Sequence, residues 1–249
     1  MRPLALGLVA VLPFVAQAQD REAVRAVLEP ALVTAGLDTT LAFVEGTMVD
    51  PETPATRAFA RDRMRPAVLG AFLDGTTLAQ AQAFAAWTER PDVGPVLARE
   101  RATGDPDYDA RVDAFFDAGG DIDDDRVAAV LDLLDRTGYV DYAAEASLRQ
   151  TILLAGLLEP DDLREPLRSV PLEDLLDGIR TSRGDLLRDG AEAYLTDLYY
   201  VAFADLSLDE LDAYLDAVER PEAQWYFGRL ATAFLSAYDE ALRSFIAER

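Results

Sequence analysis

The apolar positions of this 249-residue chain recur at three- and four-residue spacing, the period of one face of an α-helix. In the segment Arg21 to Gly36 they are Val24, Leu28, Leu32 and Val33, and Pro30 predicts a kink or a division there. Asp38 or Thr39 can cap a short helix carrying Leu41 and Val44, and Pro51-Glu52-Thr53-Pro54 reads as a turn. Thr56 to Phe72 predicts a longer helix, broken or bent at Pro66. Asp74-Gly75 ends it, Thr76 or Thr77 caps the next, and Leu78, Ala81, Phe84, Ala85 and Thr88 share a face. Val112 to Phe116 and Val127 to Leu134 are short apolar runs, each preceded by an acidic cluster that can supply turns and N-caps. Tyr139 to Leu158 predicts a long helix, Pro171 to Ile179 a short one, and Gly184 to Phe203 a longer one. Ser207 caps a stripe of Leu208, Leu211, Leu215 and Val218, and after Pro221 the residues Phe227, Leu230, Phe234, Tyr238, Leu242 and Phe245 recur on one side. Alternating β-branched runs and hairpin signals are essentially missing. The pattern predicts an all-α fold, a multi-helix array or bundle.

Two stretches of this pattern echo one another. Leu78 to Asp92 and Leu208 to Glu222 each run an apolar-periodic helix into Glu-Arg-Pro and then an acid, and the two triplets lie 130 residues apart. Leu-Glu-Pro recurs at the same offset, at Leu28 to Pro30 and at Leu158 to Pro160. Two anchors with one offset predict an internal duplication of a helix–Pro corner–helix unit, with pseudo-repeats at about residues 21–118 and 150–249. In each corner the proline can stop one helix or occupy the first turn of the next, with the following acid complementing that helix's positive end.

The first 18 residues read differently. Arg2, the apolar run Leu4 to Val15 and Ala16-Gln17-Ala18 have the order of a secretory leader, with cleavage expected after Ala18. The run is too short to span a bilayer, and nothing later is long and apolar enough to do so. Residues 19–249 are then expected to form a single exported, periplasmic or secreted all-α domain. At 50% hydrophobic and 28% charged residues, the chain can bury a core.

Charge and missing residue types narrow the chemistry. The chain carries 46 acids against 23 bases, a net charge of −23, and every base is Arg. Such a surface is repelled by nucleic acid and anionic lipid, so neither nucleic acid nor membrane insertion is expected. The composition contains no His, Cys, Lys or Asn; Lys and Asn share adenine-rich codons, which points to a GC-rich bacterial genome. Without Cys there is no disulfide framework. Without His or Lys there is no His-based triad, no Ser-Lys dyad, no Schiff base and no P-loop. The usual ligands for zinc and for iron–sulfur clusters are missing as well, and no cofactor is expected.

What remains is carboxylate and surface chemistry. Asp121, Asp123, Asp125 and Asp132 fall on positions 1, 3, 5 and 12 of an EF-hand-like loop, but Arg126 stands where the turn requires Gly, so caps and turns are the better reading. A murein-cleaving enzyme could use one Glu as general acid, and Glu145 is a conceivable candidate among many. Arg57, Arg61, Arg63 and Arg65 read as a solvated face paired with local acids. Trp225, Tyr226 and Phe227 are consecutive and cannot all face one core on a helix, so an exposed aromatic there would mark a contact site; the plainer alternative packs Trp225 against the other repeat.

The corners also carry a resemblance. Leu208 to Phe234, and second Thr77 to Leu97, resemble the corner of domain of unknown function 2059, a set of signal-peptide-bearing helical bacterial proteins. That family's corner has Ser or Thr before the proline and Gly soon after, whereas Arg90 and Arg220 stand here, Gly94 is displaced by one position and Ala223 replaces the second Gly. The resemblance implies an exported α-helical protein and supplies no catalytic residues. Taken together, the sequence predicts a non-catalytic binding or scaffolding protein of the cell envelope, whose partner is an envelope protein or a glycan. Its candidate contact residues are Glu89, Arg90, Pro91, Glu219, Arg220, Pro221 and Trp225. The alternatives are a carboxylate-dependent murein-cleaving enzyme and, behind it, a weak divalent-cation binder.

Overall fold

The computed structural model describes residues 11–46, 54–105, 107–120, 122–158 and 169–247. Helices make up almost all of it, with no strand among the described residues. In chain order they are α1 (Val11–Thr34), α2 (Leu37–Gly46), α3 (Pro54–Ala58), α4 (Arg61–Leu73), α5 (Leu78–Thr88), α6 (Gly94–Ala102), α7 (Tyr108–Asp117), α8 (Asp124–Thr137), α9 (Tyr139–Leu158), α10 (Leu172–Ala202), α11 (Leu208–Val218) and α12 (Pro221–Ala247).

The last helix organises the rest. α12 buries Ala223, Tyr226, Phe227, Leu230, Ala233, Phe234, Ala237, Tyr238, Ala241, Leu242 and Phe245, a broad stripe at three- and four-residue spacing. It packs against α4 and α5 on one side and against α9 and α11 on the other. The early helices close through α1 on α5 and α2 on α4, the later ones through α9 on α10 and α8 on α11. A single apolar core runs through all of them, from Val24 to Phe245. No helix among the described residues is long and apolar enough to cross a membrane.

Two prolines expected to kink, bend or divide a helix lie inside continuous ones, and one expected division is absent. α1 runs through Pro30, which lies on the exposed side, where water can take the carbonyl left without its amide partner. The segment from Thr56 breaks at Phe59-Ala60, between α3 and α4, while Pro66 sits inside α4. The two helices expected around Gly184 are one, α10, which carries Gly178, Gly184 and Gly190. There packing against α9 outweighs the cost of glycine in a helix, about 1 kcal/mol each.

The caps follow the sequence in part: α2 already begins at Leu37, so Asp38 and Thr39 lie inside its first turn and do not cap it. Thr77 and Ser207 each close a full capping box, with Gln80 and Glu210 respectively. α8 starts on Asp123, whose carboxylate accepts from Asp125 N at 3.0 Å, and ends on Gly138 in the left-handed conformation.

A tyrosine-lined cavity and the paired corners

The structure brings the two Glu-Arg-Pro corners together. Trp87 lies 130 residues before Ala217, and its Nε1 donates to the Ala217 carbonyl at 2.9 Å across the contact. Each corner closes its own ion pair, Arg90 with Asp92 at 2.5 Å and Arg220 with Glu222 at 2.9 Å. The pairs also feel each other, because Arg90 acts on Glu222 and Arg220 on Asp92. The prolines differ. Pro221 is the first residue of α12, whereas Pro91 lies in the turn before α6, whose first turn holds Pro95 instead. Glu89 and Glu219 are exposed C-cap residues of α5 and α11, and Glu219 pairs with Arg136 of α8.

Trp225 is half-buried and stands against the early helices, edge-on to Phe72 at 6.3 Å and tilted on Phe84 at 5.6 Å. Arg229 covers its ring at 5.5 Å. Its Nε1 is buried with no acceptor among the described residues. Tyr226 and Phe227 are fully inside. This cluster is an internal seam between early and late helices, with only the charged rims of the corners at the surface.

The remaining candidates are accounted for by structural contacts. Glu145 holds Arg149 and Arg180, and the Arg180 hydrogen bond in particular keeps its pKa below the usual carboxylate range, the wrong direction for a general acid. Asp123 is a cap, Asp132 pairs with Arg136, and Asp121 lies outside the described residues. No group of acids close enough to hold a metal occurs among the described residues. Arg61 pairs with Glu45, and Arg65 with Glu29 and Asp38, as a solvated basic face should.

The feature the sequence did not announce is a cavity of about 480 Å³. It lies between the α1–α2 corner, the end of α6, and the helices α9, α10 and α12. Its lining runs from Tyr139 to Gln150 on α9, from Leu186 to Tyr199 on α10 and from Tyr226 to Tyr238 on α12. At 1.5 Å per residue these stretches are each about 16 to 20 Å long, so the cavity is elongated along the helices. Six of the chain's nine tyrosines line it: Tyr139, Tyr142, Tyr194, Tyr199, Tyr226 and Tyr238. Leu186, 70% exposed, and Tyr194, 45% exposed, mark its mouth on α10.

Charged groups in the lining are few. Among the described residues Glu100 is its only acid and Arg101 its only base. Glu100 is 8% exposed, and its Oε1 accepts from the Tyr214 hydroxyl at 2.9 Å, its one side-chain hydrogen bond to the described residues. Burial pushes its carboxyl up to about 7, against the smaller opposing effects of the Tyr214 hydrogen bond and the Arg101 charge. Tyr139, Tyr199, Tyr214 and Tyr226 are raised above the ordinary phenol value, first by burial and then by this carboxylate. Arg101 donates to the Thr34 carbonyl at the end of α1. At the other end of the lining Tyr238 is 1% exposed and its hydroxyl makes no regular hydrogen bond, although Gln150 lies close enough to act on it.

One signal for Glu100 was present in the sequence. Val93, Val96 and Leu97 set an inward stripe on α6 whose next position is 100, so a carboxylate stands where the helix period calls for an apolar residue. Comparison with protein-family models, with characterised proteins and with solved structures gives no match for this chain.

Proposed function

We propose that this protein is a non-catalytic binding protein of the cell envelope, and that its cavity holds one elongated, largely apolar small molecule. The observation that carries the reading is the cavity itself: about 480 Å³, within the range of ordinary small-molecule sites, mostly apolar, with a few buried polar groups converging on it. Among the described residues the Tyr238 hydroxyl makes no regular hydrogen bond and the Glu100 carboxyl takes only one, so both are groups a ligand can satisfy. The supposed partner thus changes kind, from an envelope protein or glycan at the corners to a small molecule inside.

The test is displacement of a neutral fluorescent probe. N-phenylnaphthylamine should brighten on binding the wild type, and Ala146→Phe, which builds a ring into the cavity from α9, should weaken that binding at least about tenfold. Probe binding unaffected by Ala146→Phe would remove the cavity from consideration.

Glu100 also supports a second reading, since a carboxyl held near neutrality is what a general acid requires. Among the described residues no second carboxylate joins it in the lining, as the two-carboxylate hydrolases require. Purified protein is expected to leave isolated sacculi intact; murein release abolished by Glu100→Gln would establish the enzyme.

The leader-like first 18 residues support export, and the first described buried side chain of α1 is Val24, so cleavage after Ala18 would leave the described core whole. Protein recovered from the envelope should begin at Gln19. The matched capping boxes and the contact of Trp87 with its counterpart Ala217 support descent of the two corners from one duplicated unit.

A further inference from the structure

Resting on the cavity reading above, we infer that the occupant carries a positive charge: an elongated organic cation, such as an alkyl amine, whose cationic end pairs with Glu100 while its apolar body lies along α9, α10 and α12. The argument begins with charge. A buried carboxylate that takes one hydrogen bond from the described residues and closes no ion pair among them is an unfavourable arrangement, and a cation brought to its Oε2 relieves it.

The surroundings favour a cation over an anion. The charged or titratable groups that act on Glu100 or feel it are Arg101 from α6, Tyr139 from α9, Tyr199 from α10, Tyr214 from α11 and Tyr226 from α12. Four of these five are tyrosines, of which Tyr139, Tyr199 and Tyr226 line the cavity, and aromatic ring faces attract cations in a desolvated site. The fifth, Arg101, is the one feature that could receive an anion, and its guanidinium is directed to the Thr34 carbonyl at the end of α1. The negative field of the whole chain, −23, also gathers cations at the surface before any specific contact forms.

Shape completes the match. The lining on three helices spans about 16 to 20 Å, long enough for an extended chain. Glu100 lies toward the Tyr139, Tyr199 and Tyr226 end, leaving Leu186, Leu187 and Leu230 and the alanines of α9 to cover the tail.

The experiment is competition against N-phenylnaphthylamine by decylamine, decanol and decanoate at equal submicellar concentrations. Decylamine should compete roughly tenfold better than decanol, and decanoate worst, at pH 8. Glu100→Gln keeps the side-chain shape and an acceptor for Tyr214, and should erase the amine's advantage without weakening decanol. Should that variant not fold, the wild type alone decides, because the amine-to-decanol ratio must rise between pH 6 and pH 8 as the carboxyl ionises. Equal competition by all three ligands, or an amine preference that survives Glu100→Gln or ignores pH, overturns the cation inference and leaves the cavity reading standing. If the probe and all three ligands fail to bind, the cavity reading falls and the inference with it.

Discussion

At the scale of single residues, Glu100 links stability to pH in a direction opposite to that of most carboxylates. Its folded pKa, about 7, lies above the ordinary 4.5, so the folded chain holds a proton that the unfolded chain has released. The stabilising contribution is therefore full below about pH 4.5 and fades as pH rises toward 7, by an order of 3 kcal/mol. Glu100→Gln should match the wild type in thermal melts at pH 5 and exceed it by about 1 to 3 kcal/mol at pH 8. An equal gain at both pH values would mean that the carboxyl stays ionised when folded. Arg149 behaves in the conventional way: 6% exposed, it bonds Asp239 of α12 at 2.7 Å and the Glu145 carboxylate at 2.9 Å. Arg149→Met removes the cation from Asp239 and leaves Glu145 to Arg180 alone, a loss of about 3 kcal/mol in denaturant unfolding. The helix period made Glu100 legible as an inward position; that a cavity stood in front of it was not, because the lining comes from five separated segments.

At the scale of elements, the ends were legible and the joins less so. Ser207 was readable as a cap from its place before an apolar stripe and Thr77 as one of two candidates with Thr76; Thr77→Ala or Ser207→Ala should each cost about 1 kcal/mol by urea denaturation. Pro30 and Pro66 each lie at an exposed position inside a helix, so neither divides its segment there. At Gly104, just past α6, the reason for the residue lies in a distant element. A Cβ there would collide with the Thr39 methyl of α2, and both residues line the cavity. Gly104→Ala should therefore destabilise the chain by roughly 1 to 3 kcal/mol, and Thr39→Ser, which deletes that methyl, should recover most of the loss in the double variant. Additive losses would show that the two residues do not meet.

At the scale of the molecule, the all-α architecture was readable because three- and four-residue spacing persists along nearly the whole chain and strand signals are missing. The repeated corners were readable as strings, but nothing in the strings showed that they meet, since that contact is fixed by where α12 runs between early and late helices. The net charge of −23 opposes compaction, so the melting temperature should climb when salt is raised from about 0.02 to 0.5 M, the range over which screening shortens from tens of ångströms to a few. A melting temperature insensitive to salt would mean that the acids are already neutralised by the arginine pairs. The seam between the corners has one more consequence. The chain's only two indoles, Trp87 and Trp225, both sit there, and the Trp87 ring is 6.4 Å from Tyr226, which lines the cavity. Ultraviolet emission from this protein is therefore a spectroscopic gauge of a single spot, and an occupant reaching that end of the cavity should announce itself in the emission without any added label.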